Sequence, residues 1–210
     1  GGFVPPTPPI IDPPDTPPPL PRKHFFDGGY VDVVTHLVYE LDADGKQLRA
    51  VQLTDYAAEK VRTLFPSSGE LRADWSDPER RAEIIARLEE KGIDFNHLAT
   101  TAGKPDADPF DLLCNLAYHT PLLTRKQRME KLKKDKQDFF NHFAPEARSV
   151  MEALLDKYAD HGPLQFKLPQ ALYNTPISDK GSVPEIIAMF GGAEQMRSAV
   201  NEMQQHLYAA

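Results

Sequence analysis

The sequence predicts a mainly α-helical, bundle-like domain with a small antiparallel β-sheet of two or three strands on its N-terminal side. Three observations carry that prediction. From Thr54 onward, helix start and stop signals recur and apolar residues repeat at helical spacing. Between Tyr30 and Leu41, apolar and polar residues alternate with a period of two. Ahead of both lies a run too dense in proline to form either helix or sheet.

That run, VPPTPPIIDPPDTPPPLP over residues 4–21, holds ten of the chain's 20 prolines. Each removes a backbone donor and holds φ near about −65°, which favours polyproline II. At about 3.1 Å per residue, some twenty residues form a semi-rigid spacer roughly 60 Å long. Residues 1–22 are therefore read as a proline-rich linker. PxxP spacings of the kind SH3-type domains bind occur in it, as they do in any tract this rich in proline.

Residues 23–54 read as a small β region. KHFF and the turn Asp27-Gly28-Gly29 lead into YVDVVTHLVYEL, which is rich in β-branched and aromatic residues. Val31, Val33, Thr35, Leu37, Tyr39 and Leu41 form its mostly apolar face. Asp42-Ala43-Asp44-Gly45 is a turn, and KQLRAVQLT returns as the partner strand. DADG also resembles the start of a calcium loop, but the spaced acids and terminal Glu of an EF-hand are missing.

Residues 55–210 read as an α-helical domain. Thr54 or Asp55 can cap YAAEKVRTLF. Asp77-Pro78-Glu79 combines a cap, a Pro at the first helical position and an acid in the first turn, and the helix it opens stops at Gly92. Further helices are expected around FNHLATTAG, from Asp108 or Pro109 to Tyr118, over Thr124–Phe140 and over Pro145–Tyr158. After a loop-rich stretch, two more run from Pro184 to Phe190 and from Ala193 to Tyr208. Apolar stripes mark three of the helices: Ile84, Ile85 and Leu88, with Trp75 nearby; Val150, Met151, Leu154, Leu155 and Tyr158; and Met196, Ala199, Val200, Met203 and Leu207.

Signals of catalysis are missing. There is no phosphate-binding Walker loop, no GxGxxG after a strand, no HExxH and no GxSxG. The seven histidines are scattered singly. Asp106, Asp108 and Asp111 cluster as metal-binding carboxylates can, but capping by Asp108, with Pro109 at the first helical position and Asp111 in the first turn, explains them without chemistry. The single cysteine, Cys114, lies among apolar neighbours and excludes an internal disulfide, a usage that fits a reducing cytoplasm. No apolar run approaches the ~20 residues that span a bilayer, and no signal peptide is visible. No catalytic, cofactor-binding or metal-binding residue is assigned.

One stretch stands apart. TRKQRMEKLKKDKQDFF, residues 124–140, carries seven cations (Arg125, Lys126, Arg128, Lys131, Lys133, Lys134 and Lys136) against the acids Glu130, Asp135 and Asp138. The whole chain has a net charge of −7, which argues against a surface built to coat nucleic acid. Met129, Leu132, Phe139 and Phe140 give this basic helix an apolar side. Such a face can contact phosphate without reading sequence, or dock on an acidic partner.

Taken in order, DADPFDLLCNLAY, PLLTRKQRMEKLKK, ARSVMEALLDKYADHG and VPEIIAMFGGAEQMRSAVNEMQQHLY resemble the C-terminal domain of the restriction (R) subunit of type I restriction enzymes of the EcoEI kind. DGGYVDVV, LDADGKQL and DWSDPERRAEIIARLEEKGID extend the resemblance over nearly all of residues 22–208. In that family an endonuclease domain and an ATP- and Mg-dependent DNA translocase precede the helical C-terminal region. Their motifs have no counterpart here, so no catalytic residue is carried over. The resemblance implies a cytoplasmic docking domain, without ATPase or endonuclease activity of its own. It would link the motor to the methyltransferase core of modification and specificity subunits, with the proline tract as the spacer between motor and domain. Two rival readings remain: a DNA-binding module acting through the basic helix 124–140, and an independent hydrolase using Asp106, Asp108 and Asp111.

Overall fold

The computed structural model describes residues 22–26 and 28–209, together with Gly2. Apart from Gly2 and Arg22, the proline-rich linker expected over residues 1–22 lies outside the described residues. The sheet has four strands rather than two or three: β1 (Arg22–Phe26), β2 (Gly29–Val34), β3 (Leu37–Asp42) and β4 (Gln47–Gln52), joined as an antiparallel meander in the order β1-β2-β3-β4.

The alternation between Tyr30 and Leu41 is not one strand. The chain reverses at Thr35-His36, where Thr35 takes a positive φ of 55°, and Val34 pairs with Leu37. That register sets Val33 opposite Val38, so the buried face continues through Val38 and not through Leu37. A two-residue reversal thus shifts the parity of every later side chain by one. The Asp42 carboxylate closes the next turn by accepting from the amides of Asp44 and Lys46 at 3.0 and 2.9 Å.

Helix α1 (Leu53–Leu64) follows β4 without a break. Neither Thr54 nor Asp55 caps it. It starts at Leu53, two residues before a Thr54 cap would start it, after Gln52 and without a side-chain cap, and the Leu53 amide donates to the His36 carbonyl at 2.7 Å. α2 (Ser68–Trp75) has no counterpart in the expected elements; Ser67 caps it through the Glu70 amide. α3 (Pro78–Glu90) begins as expected, with the Asp77 carboxylate accepting from the amides of Glu79 and Arg80. Gly92 follows at φ 90°, and a Cβ there would stand 2.9 Å from the Val33 side chain and 3.0 Å from His24. Only glycine allows both that backbone and that approach of α3 to the sheet.

Asp94 caps α4 (Phe95–Thr101), and Asp108 caps α5 (Pro109–Tyr118). The helix expected over 124–140 is two helices, α6 (Arg125–Asp135) and α7 (Gln137–Asn141). They meet at Lys136, whose φ of −120° and ψ of 36° leave the helical region. Past this break Phe140 is buried, and the Phe139 ring packs edge-on to Phe140, Phe143 and His206. α8 (Pro145–His161) leads into three short 3-10 turns, Pro163–Phe166, Gln170–Tyr173 and Ile177–Lys180. α9 (Val183–Met189) and α10 (Ala193–Tyr208) complete the described chain.

All three apolar stripes read from the sequence are buried, and they share one cluster with Val31, Val33 and Val38 of the sheet. Fully burying a Leu, Ile or Met side chain contributes about 1.5–3 kcal/mol. At the centre, Trp75 lies with its ring centroid 6.2 Å from each of Phe95, Phe110 and Tyr208.

Candidate interface on the basic helix

Helix α6 starts with a reciprocal cap. The Thr124 hydroxyl accepts from the Gln127 amide at 3.1 Å, and Gln127 Oε1 accepts from the Thr124 amide at 2.9 Å. The helix packs on α8 and α10 through Arg128 and Leu132, which lie one turn apart and are both buried.

That geometry separates the seven predicted cations by burial. Arg128 faces inward and is 3% exposed. Its Nε donates to Asp111 Oδ2, its Nη2 to Asp111 Oδ1 at 3.0 Å, and its Nη1 to the Leu207 carbonyl at 2.8 Å. Its guanidinium also lies 5.3 and 5.2 Å from the rings of Phe110 and Tyr208. Burial works against the charge, but donation to the Asp111 carboxylate and the nearby Asp108 outweigh it and hold Arg128 a cation. Arg128 is therefore a core residue and not part of a contact surface.

Arg125 is half-buried and engaged with backbone oxygens. Its Nε donates to the Ala159 carbonyl and its Nη1 to the Ala107 carbonyl, both at 3.1 Å. It fastens the start of α6 to the end of α8 and to the segment before α5. Lys133 lies 3.6 Å from Asp156 on α8, and Lys136 sits half-buried at the break. Lys126, Lys131 and Lys134 are exposed and take part in no ion pair found among the described residues. The surface offered to a partner is thus three lysines interleaved with Gln127, Glu130 and Asp135.

The acid cluster separates in the same way. Asp106 is exposed, Asp108 is wholly buried, and Asp111 is buried against Arg128. Asp108 Oδ1 accepts from the Phe110 amide at 2.7 Å, while Oδ2 accepts from the hydroxyls of Tyr158 and Tyr208 at 2.5 and 2.9 Å. Both oxygens of Asp108 are thereby occupied by protein donors, which leaves the three aspartates no shared face for a metal ion.

A second buried arginine escaped the sequence reading. Arg81 donates from Nε to the Trp75 carbonyl at 2.9 Å and from Nη1 to Gln204 Oε1 at 2.8 Å, joining α2, α3 and α10. Its signal was present: Arg81 is one turn ahead of Ile84 and Ile85, in the register of the buried stripe. Arg128 carries the same mark relative to Leu132.

The family described as EcoEI R protein C-terminal matches residues 51–208. The chain belongs to that family. The match takes in α1 to α10 and the end of β4, so the helical architecture and the two buried arginine sites lie inside it. Among curated proteins, the type I restriction enzyme EcoAI endonuclease subunit of Escherichia coli is 36% identical over 188 residues. The alignment covers 89% of this chain and 23% of that protein, so this chain spans about a quarter of its relative's length. No solved structure matches. No helix among the described residues is long and apolar enough to cross a membrane.

Proposed function

We propose that this EcoEI R-type C-terminal region is an assembly domain. It would hold an ATP-dependent, DNA-translocating endonuclease to the methyltransferase core formed by the modification and specificity subunits of a cytoplasmic type I restriction system. The relative's name supports the wider setting, a restriction endonuclease acting on DNA as one subunit of an assembly. The observation that supports docking over DNA contact is how the cations are engaged. Arg125 and Arg128 are held by the protein's own carbonyls and by Asp111, leaving a mixed-charge face of three lysines beside Glu130 and Asp135. Such a face suits a polar protein interface rim better than the run of phosphate contacts that gives DNA its affinity.

In this reading ATP and magnesium are bound elsewhere in the R subunit, and the chain alone hydrolyses neither ATP nor DNA. Co-purification of the chain with the modification and specificity subunits of its own system tests the proposal. A stable complex supports it, and the absence of any complex sinks it.

The second reading is direct DNA contact through Lys126, Lys131 and Lys134, favoured by their exposure on one helix without ion-pair partners among the described residues. Titrating duplex DNA at two salt concentrations distinguishes the readings, since phosphate contacts weaken steeply with salt.

A further inference from the structure

Away from α6, a cleft of about 570 Å³ opens between the start of α3, the outer turns of α10 and the 3-10 turn Pro163–Phe166. That volume lies in the range of pockets that enclose a small ligand or a few residues of a peptide. Ile85, Leu164 and Phe166 give it an apolar side, and Leu164 is 62% exposed. Arg81, Lys167 and Arg197 line it with three cationic side chains. Of the two acids in the wall, Asp77 is engaged as the cap of α3, which leaves Glu79.

Arg81 is 4% exposed, and no carboxylate pairs with it among the described residues. Its Nε and Nη1 have acceptors, whereas Nη2 is buried without a hydrogen-bond partner there. That nitrogen is closed to solvent, and the guanidinium lies 5.0 Å from the Tyr208 ring and 6.0 Å from the Trp75 ring, so Arg81 contributes a positive charge behind the cleft wall rather than a free donor within it. The cleft thus sets the exposed cations Lys167 and Arg197, with the buried Arg81 charge behind them and only Glu79 to answer them, beside an apolar wall.

We propose that this cleft binds a carboxylate-bearing peptide segment of a protein partner. The acidic side chain is directed at Lys167 and Arg197, with the buried Arg81 charge behind them, and a neighbouring apolar side chain packs against Ile85 and Phe166. The apolar wall favours a peptide over a nucleic-acid backbone, which has phosphates but no aliphatic side chain to fill it. The inference does not depend on which protein docks, nor on the role of α6.

The test uses the full 210-residue chain, isotope-labelled and followed by NMR at the Arg81 Nε–H resonance. Acetyl-Leu-Glu-Leu-amide is expected to shift that resonance saturably, and acetyl-Leu-Gln-Leu-amide to bind about ten-fold more weakly. Lys167→Glu combined with Arg197→Glu is expected to abolish the shift while the thermal unfolding midpoint stays in place. Both positions are exposed, so the answer does not hinge on Arg81→Gln, a core substitution that can unfold the chain. The proposal is overturned by no saturable shift, by equal affinity for the Glu and Gln peptides, or by inorganic phosphate producing the same shift at the same concentration.

Discussion

The carboxylate of Asp108 and the phenol of Tyr208, 100 positions apart in the chain, meet at 2.9 Å in an interior closed to solvent. Tyr158 donates to the same oxygen at 2.5 Å, so one carboxylate ties α5, α8 and α10 together. Burial, and then the Asp108 charge, push both phenols well above the ordinary tyrosine range, which keeps them protonated as donors. Tyr208→Phe and Tyr158→Phe are each expected to cost about 1–3 kcal/mol, because a buried acceptor loses a partner. The double variant should depart from the sum of the singles, since the two share one acceptor atom. Urea unfolding of the four proteins measures this, and strict additivity would contradict a shared acceptor.

Arg128 and Asp111 make the second prediction. Replacing one member of a buried ion pair strands the other, so Arg128→Ala is expected to destabilise by about 3–5 kcal/mol. Burial already pushes the Asp111 carboxyl above its ordinary value, with Arg128 opposing that shift. Replacing both, as Asp111→Leu with Arg128→Met, should be milder than Arg128→Ala alone. Thermal and urea melts of the three proteins decide the order.

For the exposed lysines the expectation is the reverse. Charge reversal at Lys126, Lys131 and Lys134 should change stability by no more than about 0.5 kcal/mol each, since none is buried. If the face does touch DNA, each lost phosphate contact lowers the salt slope of binding by about 0.9. An unchanged slope in the triple variant removes this helix from any DNA contact.

Much of the fold was legible because local chemistry and tertiary demand coincide. Asp77-Pro78 and Asp108-Pro109 announce helix starts with a cap and a proline, and α3 and α5 begin there. The stripe on α10 needed only its spacing. The reversal at Thr35-His36 left no trace because neither residue is a turn former and the apolar content runs on through it. α2 was missed because SGELRADW shows little amphipathic pattern, and only Leu71 and Trp75 of it are buried. At the candidate interface the charge count was right, but the division between inside and outside was not. Arg128 was read as a surface cation because its run is rich in lysine, whereas its buried face is set by an acid 17 positions earlier.

Cys114 is buried in α5, and burial pushes its thiol up to about 12. The thiolate is the reactive species. Native protein at about pH 8 is therefore expected to resist a thiol-labelling reagent and to react once urea unfolds it. Rapid labelling of the folded chain would contradict the burial.

His119 ends α5 at a left-handed φ of 58°, a conformation that costs a side chain energy and glycine none. The residue is exposed, so His119→Gly gives up no packing. It is expected to raise the unfolding midpoint slightly, by about 0.5 kcal/mol of stability; a lowered midpoint would show that the imidazole has a structural role.

The hold that α10 has on the interior also sets a schedule for the nascent chain. A ribosome releases the sheet and the first helices early, but Asp108, Trp75 and Arg128 gain the last of their partners only after residues through Tyr208 have emerged. Until then Phe110 and Trp75 lack the ring that closes over them, and an apolar surface stays open to chaperones and proteases. Folding of this domain therefore waits for the end of α10, however well formed the earlier helices are while synthesis continues.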